Sequence, residues 1–174
     1  MISKKMEEAL NEQINAELYS AYLYLSMQAY FESTTLPGFA NWMSVQTQEE
    51  VMHAMKIYGF VNTRSGRVTL KAIEQPPTKW QSPLAVFEAT YKHEQKVTGL
   101  INKLLNLAIG EKDHATGAFL QWFVNEQVEE EKNASDMVGK LKLIKADPQA
   151  LYMLDKEMAL RVFTPPATTK GGQA

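Results

Sequence analysis

Hydrophobic positions recur along four long stretches of this chain in alternating steps of three and four residues, the spacing of helices that pack around a common axis. The first seam runs Leu10, Ile14, Glu17, Ala21, Tyr24, Gln28, Phe31, and the second Phe39, Met43, Gln46, Glu50, His53, Ile57, Phe60. The third is Phe87, Tyr91, Glu94, Thr98, Ile101, Leu105, Ala108, and the fourth Thr116, Leu120, Phe123, Gln127, Glu130, Ala134, Met137, Leu141. Each is apolar at its ends and carries a glutamate near its middle, where an apolar residue belongs.

Punctuation between the seams divides the chain into five helices. Ser3 is an N-cap for a first helix reaching Glu32, and Leu36-Pro37-Gly38 turns into a second that runs to Arg64, with Ser65-Gly66 as its stop. Ser82-Pro83 and Asp147-Pro148 are cap-and-proline pairs opening the third helix and a short fifth one through Leu160, while Asp113 caps the fourth. Between the second and third helices lies Gly66–Ser82, with Pro76-Pro77 and a β-like Arg67-Val68-Thr69-Leu70. At up to ~3.3 Å per residue this stretch can travel the length of a helix, so the second and third helices can be parallel. The fold expected is all-α: a four-helix bundle with a long crossover between its second and third helices, plus a short fifth C-terminal helix. Residues 1–163 form a single domain in this reading, and 164–174, rich in Pro, Thr and Gly, a disordered tail.

Register brings the four seam glutamates together. With the first two helices antiparallel, Glu17 and Glu50 stand at a similar height, and counting from the turn near Glu111–Asp113 levels Glu94 with Glu130. The crossover then sets Glu50 beside Glu94, so all four carboxylates, with His53 beside them, share one layer in mid-bundle. Burying them ionised without partners would cost many kcal/mol, so cations are required there. Two divalent ions would neutralise four carboxylates, and a dinuclear metal centre is the economical reading.

Composition narrows the alternatives. A chain of 174 residues suits one sizeable core. Its net charge of −2 offers no basic field for nucleic acid or an anionic membrane. No apolar run approaches the ~20 residues of a spanning helix, and Met1–Glu8 leads straight into an amphipathic pattern without signal-peptide character, which makes cytoplasm the expected location. Cysteine is absent, which excludes disulfides and thiolate ligands. The nine methionines, Met27, Met43 and Met137 among them, are read as core filling.

Glu50-Val51-Met52-His53 is a Glu-x-x-His pair whose members lie ~60° apart around one helix and can reach one metal. Alone it is a weak signal; beside Glu17, Glu94 and Glu130 it is a strong one. In the run Glu126-Gln127-Val128-Glu129-Glu130-Glu131, Gln127 and Glu130 fall on the seam, Glu126 and Glu129 flank it, and Glu131 belongs to a solvated face. Glu49 can join Glu126 and Glu129 in a more hydrated cation site, against the plainer alternative of an acidic surface. Tyr24, seven residues from Glu17, can hydrogen-bond a ligand or supply an electron, or simply fill the core. Trp122 is assigned to helix packing, and His93 and His114 to the surface.

Oxygen donors with a single imidazole suit Fe(II), Mn(II) or Zn(II), and two ions bridged by a carboxylate can deliver two electrons at once to O₂ or a peroxide. That points to iron oxidation. Two other classes compete: a di-iron oxidase acting on an organic substrate without storage, and a purely structural helical module with a polar layer that sets register.

The stretches Leu10-Asn11-Glu12-Gln13 through Ala16-Glu17-Leu18-Tyr19-Ser20, Gln48-Glu49-Glu50 with His53, Tyr91-Lys92-His93-Glu94, Phe119-Leu120-Gln121-Trp122 with Glu126–Glu131, and Leu154-Asp155-Lys156-Glu157 together resemble the non-haem prokaryotic ferritins, whose di-iron carboxylate bundle is well established. The resemblance implies a first iron site from Glu17, Glu50 and His53, and a second from Glu50, Glu94 and Glu130 with Gln127 close by. It also implies a third iron site from Glu49, Glu126, Glu129 and Glu130. Beyond the sites it implies a homo-oligomeric shell of 24 subunits that takes Fe(II), oxidises it with O₂ or H₂O₂ and stores ferric mineral. Haem is not expected, because Val51 stands directly after Glu50 where a bacterioferritin has its haem-ligating methionine. The fourth helix also lacks a second Glu-x-x-His.

Overall fold

A computed structural model describes residues 1–145 and 147–165. Its helices are α1 (Lys4–Ser33), α2 (Pro37–Thr63), α3 (Pro83–Gly110), α4 (His114–Ile144) and α5 (Pro148–Met158). Four begin as the sequence dictates, the side chains of Ser3, Ser82, Asp113 and Asp147 accepting from the amides of Met6, Ala85, Thr116 and Ala150. The α2 start is different. Leu36 has no side chain that can cap it, and the missing acceptor comes from α5: buried Asp155 takes the amides of Gly38 at 2.8 Å and Phe39 at 3.1 Å. The approach is so close that a Cβ on Gly38 would meet the Asp155 carbonyl oxygen at 1.7 Å, so only glycine fits.

Helix ends share one device. Thr35, Ser65, Lys112 and Lys145 each follow a helix with φ of 57°, 58°, 57° and 47°, the left-handed turn that lets the chain leave its last carbonyls satisfied. The α2 stop is therefore made by Ser65 and not by Gly66, contrary to the usual preference for glycine. Arg64, at the same end, forks onto both carboxylate oxygens of Asp113 at 3.1 Å and reaches Thr116 Oγ1 at 3.1 Å, tying the end of α2 to the start of α4.

The bundle buries two apolar clusters with a polar layer between them. One gathers Tyr24, Met27, Phe31, Phe39, Met43, Phe87, Met137 and Leu141 around the α2 start and α5. The other gathers Met6, Leu10, Ile14, Ile57, Val61, Ile101, Leu104, Leu120 and Phe123 at the opposite end. Each seam contributes to both, and the glutamates fall between, as the pattern requires.

The crossover runs back along α1 and is held by side chains of that helix. Asn11 donates to the Arg67 carbonyl at 3.0 Å and accepts from the Thr69 amide at 2.8 Å. Asn15 reaches the Ala72 carbonyl at 3.1 Å, and Ser26 that of Pro77 at 2.7 Å. The β-like reading of Arg67–Leu70 is thereby corrected: the segment is without regular structure, its hydrogen bonds going to the side chains of Asn11 and Glu7 instead of a second strand. A second correction concerns α5, whose Leu151, Met153, Leu154 and Met158 read in the sequence as an apolar face left exposed unless subunits assemble over it. Leu154 and Met158 are buried against the chain's own α2 start and Leu151 is half-buried, which leaves Met153 open at 66 %. The tail assigned to 164–174 lies outside the described residues from position 166 onward.

Candidate metal centre

Helix α1 supplies Glu17 and Tyr24, α2 Glu50 and His53, α3 Glu94, and α4 Gln127 and Glu130, and all seven are buried. The ligand atoms of Glu17, Glu50 and His53 lie within 4.8 Å of one another, and so do those of His53, Glu126 and Glu130. His53 Nδ1 is 3.4 Å from Glu50 Oε2. Its ring is held edge-on by Trp122 at 5.4 Å and Phe123 at 5.9 Å between centroids. Trp122 thus packs against the imidazole itself, with the Lys56 ammonium 4.3 Å from its own ring centroid.

Each carboxylate but one is steered by an amide. Gln13 donates to Glu17 Oε1 at 2.8 Å, Gln46 to Glu130 Oε2 at 2.6 Å and Gln127 to Glu94 Oε2 at 3.1 Å. Tyr24 Oη adds a hydrogen bond to Glu94 Oε1. Glu50, without an amide, is the central acid, its ionisation opposed by burial and by Glu94, Glu17 and Glu130. Gln127, expected close by the second site, presents its nitrogen to Glu94 and orients that carboxylate. The Glu17 Oε2 and His53 Nε2 atoms are buried without a hydrogen-bond partner among the described residues. An acceptor lone pair stranded in this way costs about 1–3 kcal/mol.

Electrostatics record the same demand. Burial, with Glu94 adding repulsion, pushes Glu17 up to about 7, and burial with Glu94 and Glu49 pushes Glu130 up to about 8. Glu50 is raised well above the carboxylate range by burial and then by Glu94, Glu17 and Glu130, and Glu94 is raised chiefly by burial. His53 is lowered to about 4 by burial, with Lys56 contributing, which keeps the imidazole neutral and its lone pair available to a metal. Four buried carboxylates raised above their ordinary range, around a neutral imidazole, form a donor set suited to divalent first-row metal ions.

The outer acids are placed differently. Glu49 and Glu126 are half-buried and Glu129 exposed, but among the described residues Glu49 and Glu129 join no group of three ligand atoms. Glu49 Oε2 is instead 2.6 Å from Arg161 Nη2, and Glu126 leans inward to His53 and Glu130. Of three surface assignments two change. Glu131 is half-buried and accepts from Thr98 Oγ1 at 2.6 Å. His93 is set between the Tyr19 and Tyr24 rings, 2.7 Å from Ser20 Oγ, and lowered to about 4 by burial. His114 is exposed, as expected.

The orienting amides and Arg161 were not foreseen. Gln13 and Gln46 each stand four residues before a seam glutamate, a repeated Gln-x-x-x-Glu spacing that was readable. That Gln46 would bond Glu130 on another helix was not.

A model of the Ferritin-like domain matches residues 7–144. The chain is 44% identical over 161 residues to a bacterial non-heme ferritin of Bacteroides fragilis, covering 92% of this chain and all of that one. It is 39% identical over 163 residues to a bacterial non-heme ferritin of Staphylococcus aureus, covering 94% and 98%. Among solved structures it is similar to an engineered closed form of the Archaeoglobus fulgidus ferritin, at 62% identity and a TM-score of 0.93, covering 94% of this chain and 100% of that one. It is similar also to the open pore ferritin of that hyperthermophilic archaeon, at 61% identity and 0.92, covering 93% and 100%.

Proposed function

This chain belongs to the ferritin-like domain family, and from that premise we propose how its own residues carry out iron oxidation and storage. It is an iron-storage protein with ferroxidase activity, it binds iron, and it works as a homo-oligomer. Of the described helices none is long and apolar enough to cross a membrane.

In the reading proposed, one Fe(II) is held by Glu17, Glu50 and His53, and a second by Glu50, Glu94 and Glu130, with Glu50 between them. Gln127 and Tyr24 fix Glu94, Gln13 fixes Glu17, and Gln46 fixes Glu130, so the carboxylates are aimed before iron arrives. Arrival of the two cations expels the protons that burial had kept on the acids. The two ions then give up two electrons to one oxidant molecule, O₂ or H₂O₂, and leave as ferric iron. Glu49, Glu126, Glu129 and Glu130 make a third, all-oxygen site that passes iron onward to the store. Two dozen subunits of a single domain, residues 1–163, assemble into the shell, and the cytoplasm is the proposed location. The carrying observation is the convergence of Glu17, Glu50 and His53 within 4.8 Å, with Glu17 Oε2 buried and without a partner among the described residues.

The test is the joint substitution of Glu94→Ala and Glu130→Ala. Ferric absorbance after Fe(II) addition should rise at least about a hundredfold more slowly, since losing even an outer partner of a metal ligand costs about 10–100-fold. An unchanged initial rate in an assembled variant would refute the assignment.

A further inference from the structure

Beyond the end of α5 the chain folds back along α2. Asn41 Nδ2 holds the carbonyls of Met158 at 3.1 Å, Ala159 at 3.4 Å and Arg161 at 2.9 Å, fixing the backbone. From that anchor the Arg161 side chain runs along one face of α2, past residues 42, 46 and 49. Its guanidinium lies 4.4 Å from the Trp42 ring centroid and donates to the Trp42 carbonyl at 3.4 Å, to Gln46 Oε1 at 2.7 Å and to Glu49 Oε2 at 2.6 Å. Gln46 passes the contact inward, its amide nitrogen being 2.6 Å from Glu130 Oε2. One fork therefore touches Glu49 directly and Glu130 through a single amide. These are two of the four acids assigned above to the third iron site.

Burial raises the Glu49 carboxyl above its ordinary range, Arg161 opposes that shift, and the like charges of Glu126 and Glu129 add to it. Guanidinium keeps its charge at every accessible pH and cannot yield its place by losing a proton, so it stands where a metal cation would otherwise balance Glu49. Its packing on Trp42 and the three backbone contacts from Asn41 make it a fixed charge, unlike a mobile surface lysine. Among the described residues a second cation near the group is Lys56, on the Glu126 side and packed over Trp122.

We propose that Arg161 is a positioning residue for the outer iron site: a tethered counter-cation that holds Glu49 and, through Gln46, Glu130. Any divalent cation entering that site must displace it or share Glu49 with it. The ion is then bound weakly enough to move on to the store, and its arrival loosens the segment after α5. The inference rests on the third-site reading given above.

Zn(II), which undergoes no redox change, is the probe, titrated by calorimetry into the assembled metal-free protein. Arg161→Gln should bind the outer Zn(II) about tenfold more tightly, because a repelling unit charge is gone from the site. Arg161→Lys, which keeps the charge, should stay within about threefold of the parent. A merely structural arginine would not separate these two variants, both of which lose the fork. In the parent protein, hydrogen exchange of amides 159–163 should accelerate when Zn(II) saturates the outer site, and Glu49→Gln should abolish that acceleration. Equal or weaker outer-site affinity in Arg161→Gln, with Glu49→Gln removing one Zn(II) per subunit, overturns the counter-cation and leaves the third site standing. If Glu49→Gln removes no Zn(II), the third site falls, and the role of Arg161 with it.

Discussion

Buried carboxylates held above their ordinary range make the metal-free protein sensitive to pH in a defined direction. Glu17 at about 7 and Glu130 at about 8, with Glu50 and Glu94 also raised, bind more protons folded than unfolded above pH ~4.5. Their contribution is complete below the unfolded value and is lost as pH climbs through about 7 to 8. His53 and His93, lowered to about 4, act oppositely and lose stability as pH falls below ~6.5, but they are fewer. The apoprotein should therefore melt lower at pH 8 than at pH 5.5, by on the order of 5 °C, while Zn(II) raises the melting point more at pH 8, where fewer protons must be expelled. Calorimetric scans at the two pH values, with and without the metal, decide it. At the same scale Gln46→Leu removes a donor from buried Glu130 and an acceptor from Arg161. It should cost about 1–3 kcal/mol of stability by denaturant titration. The seam carboxylates and Glu-x-x-His53 were legible because helical period alone fixes which face a residue occupies. The Gln46–Glu130 and Arg161–Glu49 contacts were not, because each joins side chains from elements distant in sequence.

At the scale of elements, the docking of α5 on the α2 start is the contact with the least tolerance. Asp155→Ala removes the acceptor of two helix-start amides and should destabilise by about 1–2 kcal/mol. Gly38→Ala is the harsher change, since its methyl would enter the Asp155 carbonyl. Limited proteolysis should show α5 cut readily in Gly38→Ala while the four long helices persist, and equal resistance in the parent and the variant would mean that α5 is held by its apolar residues alone. The cap positions at Ser3, Ser82, Asp113 and Asp147 were readable from residue type and spacing. Asp155 was not, because a cap delivered from another helix leaves no local signature.

For the whole molecule, assembly needs apolar surface left open by the single chain. Tyr22 at 46 %, Leu25 at 47 % and Ile73 at 41 % lie together along α1 and the crossover, around a cleft that Pro76 also lines. Single exposed apolar residues are ordinary, but a continuous group of them marks a surface meant for a partner. A second copy of the chain is the partner that homo-oligomerisation requires. The parent should elute as a particle of roughly 470 kDa if two dozen 19.7 kDa subunits assemble. Leu25→Glu combined with Ile73→Glu should shift the elution to small oligomers with helicity retained. A full-sized particle from that variant would place the interface elsewhere.

Periodicity and punctuation along the sequence settled the number of helices, their inward faces, the parallel crossover and the mid-bundle height of Glu17, Glu50, Glu94 and Glu130. The faces and heights depend on rise and turn per residue, which are constants of the α-helix, the helix count on the cap and proline residues between the seams, and the crossover on the reach of an extended chain. Family likeness could be read from the same stretches, since ligands fixed in register on rigid helices leave a recurring spacing. Tertiary structure alone decided that Gln127 orients Glu94, that His93 is enclosed between Tyr19 and Tyr24, that Glu126 leans inward, and that Arg161 returns to Glu49. These rest on where long, flexible side chains end and on how a segment after the last helix folds back, and such contacts form only after the bundle has packed.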